Sequence, residues 1–246
     1  MPKKILITGA SSGIGRALAY ELAGRGYALA LTARRMETLE EIRKDIQVRH
    51  PGVTVVVHPL DVTAFETVPG VIAACAEGLG GLDILFANAG ISRGEKVGRG
   101  RFDKARLTIE TNLLGAMATV DAAVAYFLQQ GHGHVVGVAS LIAFLGFPRM
   151  ASYGAAKAGL AIYLESLRAE VHRKNIQVTV LNPGYIDTPL NDMLKSRPFL
   201  VSAEKGAALI AGMIERKVKR STVPVWPWCL LGRLLKWLPT SVIARF

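Results

Sequence analysis

Cysteine is nearly absent. Only Cys75 and Cys229 occur in 246 residues, far apart and in no metal-ligand pattern, so neither a disulfide framework nor a thiolate metal site is implied. Long apolar runs are missing too. No stretch approaches the ~18–20 uninterrupted apolar residues of a membrane-spanning helix. Met1-Pro2-Lys3-Lys4 leads straight into Ile5-Leu6-Ile7, a run too short for an export leader. A cytoplasmic chain with reduced thiols is expected. Acidic residues are in the minority, 19 against 30 Lys and Arg, for a net charge of +11. The excess is local: from Arg216 onward there are seven basic residues and no acidic one, which leaves an ordinary 23 against 19 elsewhere. Helix-turn-helix, zinc-finger and aromatic RNA-binding signatures are all lacking, so the charge predicts no nucleic-acid partner. What is plentiful is apolar material, half of all residues, enough for a substantial core.

Short runs rich in Val, Ile and Leu alternate with longer amphipathic stretches. Strands are predicted at 4–8, 27–32, 53–58, 82–87, 134–140 and 176–181, with a weaker one near 222–226. Helices are predicted at 14–25, 36–49, 64–79, 104–129, 152–173 and 203–217. The strands show little polar alternation, as parallel strands covered on both faces do. The expected fold is α/β with a parallel sheet and right-handed crossovers. No linker or internal repeat divides residues 1–220, which are expected to form one domain, with 221–246 as an extension.

The first strand runs into Gly9-Ala10-Ser11-Ser12-Gly13-Ile14-Gly15, and a helix follows at once. Glycines there allow a tight turn that brings backbone N–H groups to a pyrophosphate, and the helix N-terminus adds partial positive charge. In this position the turn predicts dinucleotide binding. A carboxylate for a ribose 2′-hydroxyl is missing after strand two. The sequence reads Leu31-Thr32-Ala33-Arg34-Arg35, and two guanidinium groups suit a 2′-phosphate instead, favouring NADP(H).

Tyr153 and Lys157 lie four residues apart, on one face of a helix. Tyrosine is a poor acid/base at its ordinary pKa of ~10, and a neighbouring Lys⁺ and a cofactor cation are expected to lower it. Alone the pair is cheap: six tyrosines give roughly 0.3 chance matches in a chain this long, so other signals must converge. They do. Ser140, Asn88-Ala89-Gly90 and Pro183-Gly184 all fall beyond the carboxyl ends of predicted strands, where α/β sheets bind ligands. Asn112 lies within the long helix that precedes the Ser140 strand. His132 and His134 flank Gly133, but no Cys, Asp or Glu cluster completes a metal site.

In this order, Thr8-Gly9-x3-Gly13-x-Gly15, Asn88-Ala-Gly, Asn112, Ser140, Tyr153-x3-Lys157 and Pro183-Gly184 resemble the short-chain dehydrogenase/reductase family over residues 3 to about 190. One position departs, Ala87 standing where the family has a first Asn. The resemblance implies a doubly wound, seven-stranded Rossmann sheet in three α/β/α layers, and transfer of the nicotinamide 4-pro-S hydride between a carbonyl and an alcohol carbon. By similarity Tyr153 protonates the carbonyl oxygen and Lys157 holds the nicotinamide ribose and depresses the tyrosine pKa. Ser140 bonds the substrate oxygen, and Asn112 anchors a water. Asp61-Val62 match an adenine-contacting pair, and Ile186 and Thr188 the segment meeting the carboxamide. Arg34 and Arg35 resemble the NADP-preferring branch. A non-catalytic NADP(H)-binding protein and a membrane-associated scaffold are the alternatives from other classes.

The stretch Val223–Pro239 holds all three tryptophans, Trp226, Trp228 and Trp237. Leu230, Leu231, Leu234, Leu235 and Leu238 follow helical spacing with Arg233 and Lys236 between them. Such a stretch suits a helix lying in a membrane interface, a lid over the substrate pocket or a subunit contact, readings that do not exclude one another. Apolar surface near the entrance motivates an apolar or lipid-like ketone or aldehyde as substrate. The loop Arg93–Arg101, with four positive residues, is expected to border the pocket. Small residues Gly154, Ala155, Ala158 and Gly159 on one helix favour a homodimer or homotetramer.

Overall fold

A computed structural model describes residues 2–192, 196–234, 237 and 239–244. Seven parallel strands form one sheet: β1 Lys4–Thr8, β2 Ala28–Ala33, β3 Val55–Pro59, β4 Ile84–Ala87, β5 Gly133–Val138, β6 Ile176–Pro183 and β7 Arg220–Val223. Their spatial order is β3-β2-β1-β4-β5-β6-β7, with Ile7 beside both Leu31 and Phe86 in register. The chain winds outward from β1 to β3, then reverses at β4. That reversal opens a crevice beyond the carboxyl ends of β1 and β4, the usual ligand position in such sheets. This is the doubly wound Rossmann architecture expected from the sequence.

Two apolar layers cover the sheet. On one face α1 (Gly13–Gly24), α2 (Met36–Arg49) and α7 (Ala203–Glu215) bury Leu18, Leu22, Ile42, Ile46, Ile210 and Met213. The other face carries α3 (Val68–Leu79), α5 (Gly115–Gln130) and α6 (Ala151–Glu170), which bury Ile72, Val120, Phe127, Leu160 and Leu164. Strands buried on both sides lose the polar alternation of a half-exposed sheet, and β2 is buried at all six positions.

Two boundaries differ instructively from the sequence reading. The long helix predicted at 104–129 runs from Phe102 to Gln130 in three pieces: α4 Phe102–Ile109, a π-helical turn Glu110–Leu114, and α5. By length and composition this run is apolar enough to cross a membrane, at a mean hydropathy of 1.3, but its apolar face packs on β4, β5 and α6. The last strand begins at Arg220 rather than 222, so the sheet continues past residue 220. Beyond it come the short helices α8 Trp228–Leu234 and α9 Thr240–Ile243. The part of the tail helix expected at Leu235, Lys236 and Leu238, and the side chain of Arg233, lie outside the described residues.

His134 on β5 is 4% exposed, and its Nε2 lies 2.9 Å from the Thr179 hydroxyl. That hydroxyl donates its hydrogen to the Val218 carbonyl, so it accepts from Nε2–H, which makes His134 the neutral Nε2 tautomer. Burial, with Lys217 and Lys3 adding repulsion, pushes its pKa down to about 4. The unfolded chain takes a proton here near pH 6.5, whereas the folded chain resists until about pH 4. Stability is therefore full above pH 6.5 and falls by about 3 kcal/mol as pH drops towards 4. Urea unfolding at pH 7 and 4.5 should show a loss in His134→Gln smaller than in the wild type by roughly 2 kcal/mol. Equal losses would assign the effect to another group.

Candidate active site

The turn after β1 needs glycine for both conformation and space. Gly9 and Gly13 hold φ of 67° and 55°, left-handed values that a β-carbon disfavours. A Cβ at Gly15 would lie 2.6 Å from the Gly9 carbonyl oxygen, so α1 starts directly against the turn. Thr8 and Asn88 lock the geometry. The Thr8 hydroxyl accepts from the backbone N–H of Asn88 and Ala89 at 3.0 and 3.1 Å, and Asn88 Nδ2 donates to the Thr8 carbonyl at 3.0 Å. The Asn88 side chain thus ties the ends of β1 and β4 together across the crevice.

Arg34 and Arg35 are exposed at the end of β2. Arg35 reaches over the turn, donating to the Ser11 hydroxyl at 3.1 Å. Asp61 follows β3. Burial alone would raise its pKa, but the Thr63 N–H and hydroxyl and the nearby Arg34 charge outweigh it and lower the value. Val62 turns inward, occupying the place a Cβ on Gly115 would need. On the far side, Thr188 passes over the turn, 3.4 Å from where a Gly13 Cβ would sit. Ile186 is fully buried, and its carbonyl accepts from Asn191 Nδ2 at 2.9 Å. Asp187 N–H donates to Val201 at 2.9 Å, which folds the segment after Pro183-Gly184 back over the crevice.

Ser140, Tyr153 and Lys157 meet at the carboxyl end of β5. Tyr153 is half-buried on α6 and hydrogen-bonded to Ser140. Lys157, 4% exposed, donates to the Val138 carbonyl at 2.7 Å and stands 5.9 Å from the Tyr153 ring centre. A Cβ on Gly90 would lie 3.1 Å from Asn112 Oδ1 and 3.6 Å from Lys157 Nζ, so three separate segments converge. Asn112, fully buried in the π-helical turn, accepts from Ile91 N–H and donates to the Ile91 carbonyl, both at 2.7 Å. Its visible work is to fix the loop that carries Gly90.

The protein's own side chains set a different balance from the one expected with a cofactor cation beside them. Burial raises the Tyr153 pKa to about 12, against a smaller lowering by Ser140. Burial also pulls Lys157 down to about 8. The folded protein therefore keeps the phenol protonated through the neutral range, because desolvation outweighs the lowering by Ser140.

One contributor escaped the sequence reading. Glu95 sits among the positive residues of the 93–101 loop yet is 8% exposed. It accepts from the Ser152 N–H at 3.2 Å and from the Ser152 hydroxyl. Helix α6 has no side-chain cap of its own at Met150, so Glu95 supplies a carboxylate to that N-terminus, one residue before Tyr153. Trp228 is 6% exposed and packs edge-on against Tyr185 at 5.9 Å and Phe199 at 5.6 Å. It also leaves no room for a Cβ at Gly184. The tail therefore closes onto the segment beside the crevice.

The short chain dehydrogenase family profile matches residues 3–198. The chain belongs to the short chain dehydrogenase family. An uncharacterized oxidoreductase of Mycobacterium tuberculosis is 41% identical over 245 residues, covering 99% of this chain and 97% of the relative. The 11-beta-hydroxysteroid dehydrogenase 1A of Arabidopsis thaliana is 36% identical, covering 91% of this chain and 69% of its own length. An alcohol dehydrogenase from the archaeon Thermococcus sibiricus, solved with 5-hydroxy-NADP, superposes with a TM-score of 0.82 at 28% identity, covering 90% and 96% of the two chains. This dehydrogenase is thus an oxidoreductase of a family in which the Thermococcus protein was solved with a nicotinamide cofactor derivative. Its own turn fits such a group, since a side chain at Gly9 or Gly15 would collide with the backbone and Asn88, and only glycine there lets the turn set the N-terminus of α1 beside a pyrophosphate. Gly15→Ala should weaken binding of the reduced dinucleotide at least tenfold in a fluorescence titration. Unchanged affinity would remove the turn from the site.

Proposed function

We propose that this dehydrogenase uses NADP(H) to interconvert a carbonyl and an alcohol, acting on an apolar or lipid-like ketone or aldehyde. The meeting of Ser140, Tyr153 and Lys157 beside the crevice carries this reading, since it sets a proton donor and a second hydroxyl where a carbonyl oxygen can reach both. A bound nicotinamide dinucleotide supplies or accepts the hydride. The Tyr153 phenol, protonated at neutral pH, delivers its proton to the carbonyl oxygen. The Ser140 hydroxyl orients that oxygen. Lys157, with one donor spent on Val138, keeps two for the ribose hydroxyls beside Gly90. In the reverse direction Tyr153 must first lose its proton, so alcohol oxidation gains with rising pH while reduction does not need alkaline conditions.

An apolar substrate is favoured by the surroundings. Tyr185, Phe199 and Trp228 form an aromatic cluster beside Gly184, and Leu190 and Leu200 are exposed on the same segment. The relative named for hydroxysteroid substrates points the same way. A panel of ketones graded in chain length, assayed with NADPH, should give kcat/KM rising with apolar length. A flat or falling series would overturn the substrate class.

Two associations belong to the same reading. Trp226 and Trp237 are 71% and 85% exposed, near exposed Leu230 and Leu234, in a stretch without acidic residues; this suits a peripheral membrane contact by a cytoplasmic protein. Ile162 is exposed on α6 and Leu114 and Leu128 along the preceding helix, which suits a subunit contact in a homodimer or homotetramer. Truncation at 220 would remove most of β7, so flotation on anionic vesicles is better compared between wild type and Trp226→Ser/Trp237→Ser. Equal partition would dismiss the membrane contact.

A further inference from the structure

The loop after β4 runs alongside the start of α6 and is tied down at both ends. At its first residue, Asn112 accepts from the Ile91 N–H and donates to the Ile91 carbonyl, both at 2.7 Å. The Ser92 hydroxyl then donates to the Met150 sulfur at 3.7 Å. Glu95 bridges to Met150 in the parallel sense, its N–H donating to the Arg149 carbonyl at 3.1 Å. The Glu95 carboxylate reaches further, accepting from the Ser152 N–H at 3.2 Å and from the Ser152 hydroxyl. One residue thus holds both Arg149, just before α6, and Ser152 in its first turn.

Both partners need holding. Arg149 has a φ of 64°, a left-handed value that a side chain disfavours and that persists only where its surroundings enforce it. The Ser152 N–H is among the first donors of a helix, which have no intrahelical acceptor, and Met150 supplies no side-chain cap. Glu95 is 8% exposed, and a carboxylate is costly to bury without partners. Tyr153 is the next residue along. Its hydroxyl has to meet Ser140, which stands on a different element at the end of β5. A first turn that frays carries Tyr153 with it, whereas Lys157 lies one turn deeper and is held by Val138. The Gly90 side of the crevice is fixed separately, by Asn112. The Glu95 contact therefore bears on the proton donor and not on the dinucleotide.

We propose that Glu95 is a positioning residue for the reaction, clasping the first turn of α6 so that the Tyr153 hydroxyl stays aligned with Ser140 and the substrate carbonyl. This rests on the reading of Tyr153 as proton donor. With NADPH and a ketone of the graded panel, Glu95→Ala should lower kcat about ten- to hundredfold, the scale of a reacting group displaced by about 1 Å. The ketone KM and the NADPH dissociation constant should stay within about twofold, as befits a loss confined to the transition state. Glu95→Gln keeps an oxygen that accepts from Ser152 and should restore kcat to within about threefold of wild type. Ser152→Ala removes one of the donors and should cost a fewfold loss, so it carries the test from the other side should Glu95→Ala not fold. In the Tyr153→Phe background, Glu95→Ala should add less than about a twofold loss, because residues acting as a unit are not additive. Without cofactor or substrate, amide exchange of residues 150–154 should quicken in Glu95→Ala and match wild type in Glu95→Gln. Wild-type kcat in both Glu95→Ala and Ser152→Ala, Glu95→Gln as slow as Glu95→Ala, a raised ketone KM with kcat unchanged, the same added loss with and without the Tyr153 hydroxyl, or unaltered exchange would each overturn the proposal. Full turnover in Tyr153→Phe would instead sink the proton-donor reading beneath it, whereas an inactive Tyr153→Phe beside a fully active Glu95→Ala removes the clasp alone.

Discussion

Replacing Tyr153 by Phe is expected to lower kcat about a thousandfold while leaving the dissociation constant for NADPH within about twofold, the usual scale for loss of a positioned general acid. The ring stays, so its packing on α6 is kept, and the only atom removed is the one bonded to Ser140. Because the phenol's pKa stands at about 12, almost every molecule in neutral solution holds the transferable proton, and the variant holds none. Ser140→Ala should cost less, about ten- to hundredfold, since it orients the carbonyl oxygen and transfers no proton. Steady-state kinetics with cofactor titrations on the same preparations separate these effects. Turnover unchanged in Tyr153→Phe would remove this residue from the chemistry.

The second large effect concerns the cofactor. Wild type should prefer NADPH to NADH by at least a hundredfold in kcat/KM, and Arg34→Ala/Arg35→Ala should erase most of that preference by losing NADPH efficiency alone. Charge-assisted hydrogen bonds to a phosphate contribute about 1.5–3 kcal/mol each, so two of them account for such a ratio. The geometry also suggests an order. Arg35 is anchored by Ser11 at 3.1 Å, whereas among the described residues Arg34 has only its attraction to Asp61. Arg35→Ala alone should therefore cost more. A wild type that prefers NADH would overturn this reading of β2.

Much of the fold was legible because parallel strands buried on both faces announce themselves as continuous Val, Ile and Leu runs, and the glycine turn fixes where the first helix begins. The Tyr153 and Lys157 pair was legible as well, since helical spacing alone puts both on one face. The rest depended on distant contacts. Asn88 bonds to Thr8 across 80 positions, and the direction of its amide is set by sheet order rather than by neighbours. Glu95 looked like one acid in a basic loop until the loop was folded onto α6. The π-helical turn around Asn112 leaves no mark in hydrophobic periodicity, because its flanking pieces keep the pattern of one long helix. The upward push on the tyrosine pKa was not legible for a related reason: sequence spacing reveals a neighbouring charge but not burial. The three tryptophans read as one group, yet Trp228 is buried while Trp226 and Trp237 are exposed.

Hydride exchange between a nicotinamide and a carbonyl carbon is the central claim, and isotope transfer tests it most directly. NADPH carrying deuterium at the 4-pro-S position is turned over with a ketone from the graded panel, and the alcohol is weighed by mass spectrometry. The account predicts one deuterium on the carbinol carbon, and none when the label is 4-pro-R. An unlabelled alcohol from the pro-S cofactor, or no cofactor oxidation across the panel despite tight binding, would contradict it.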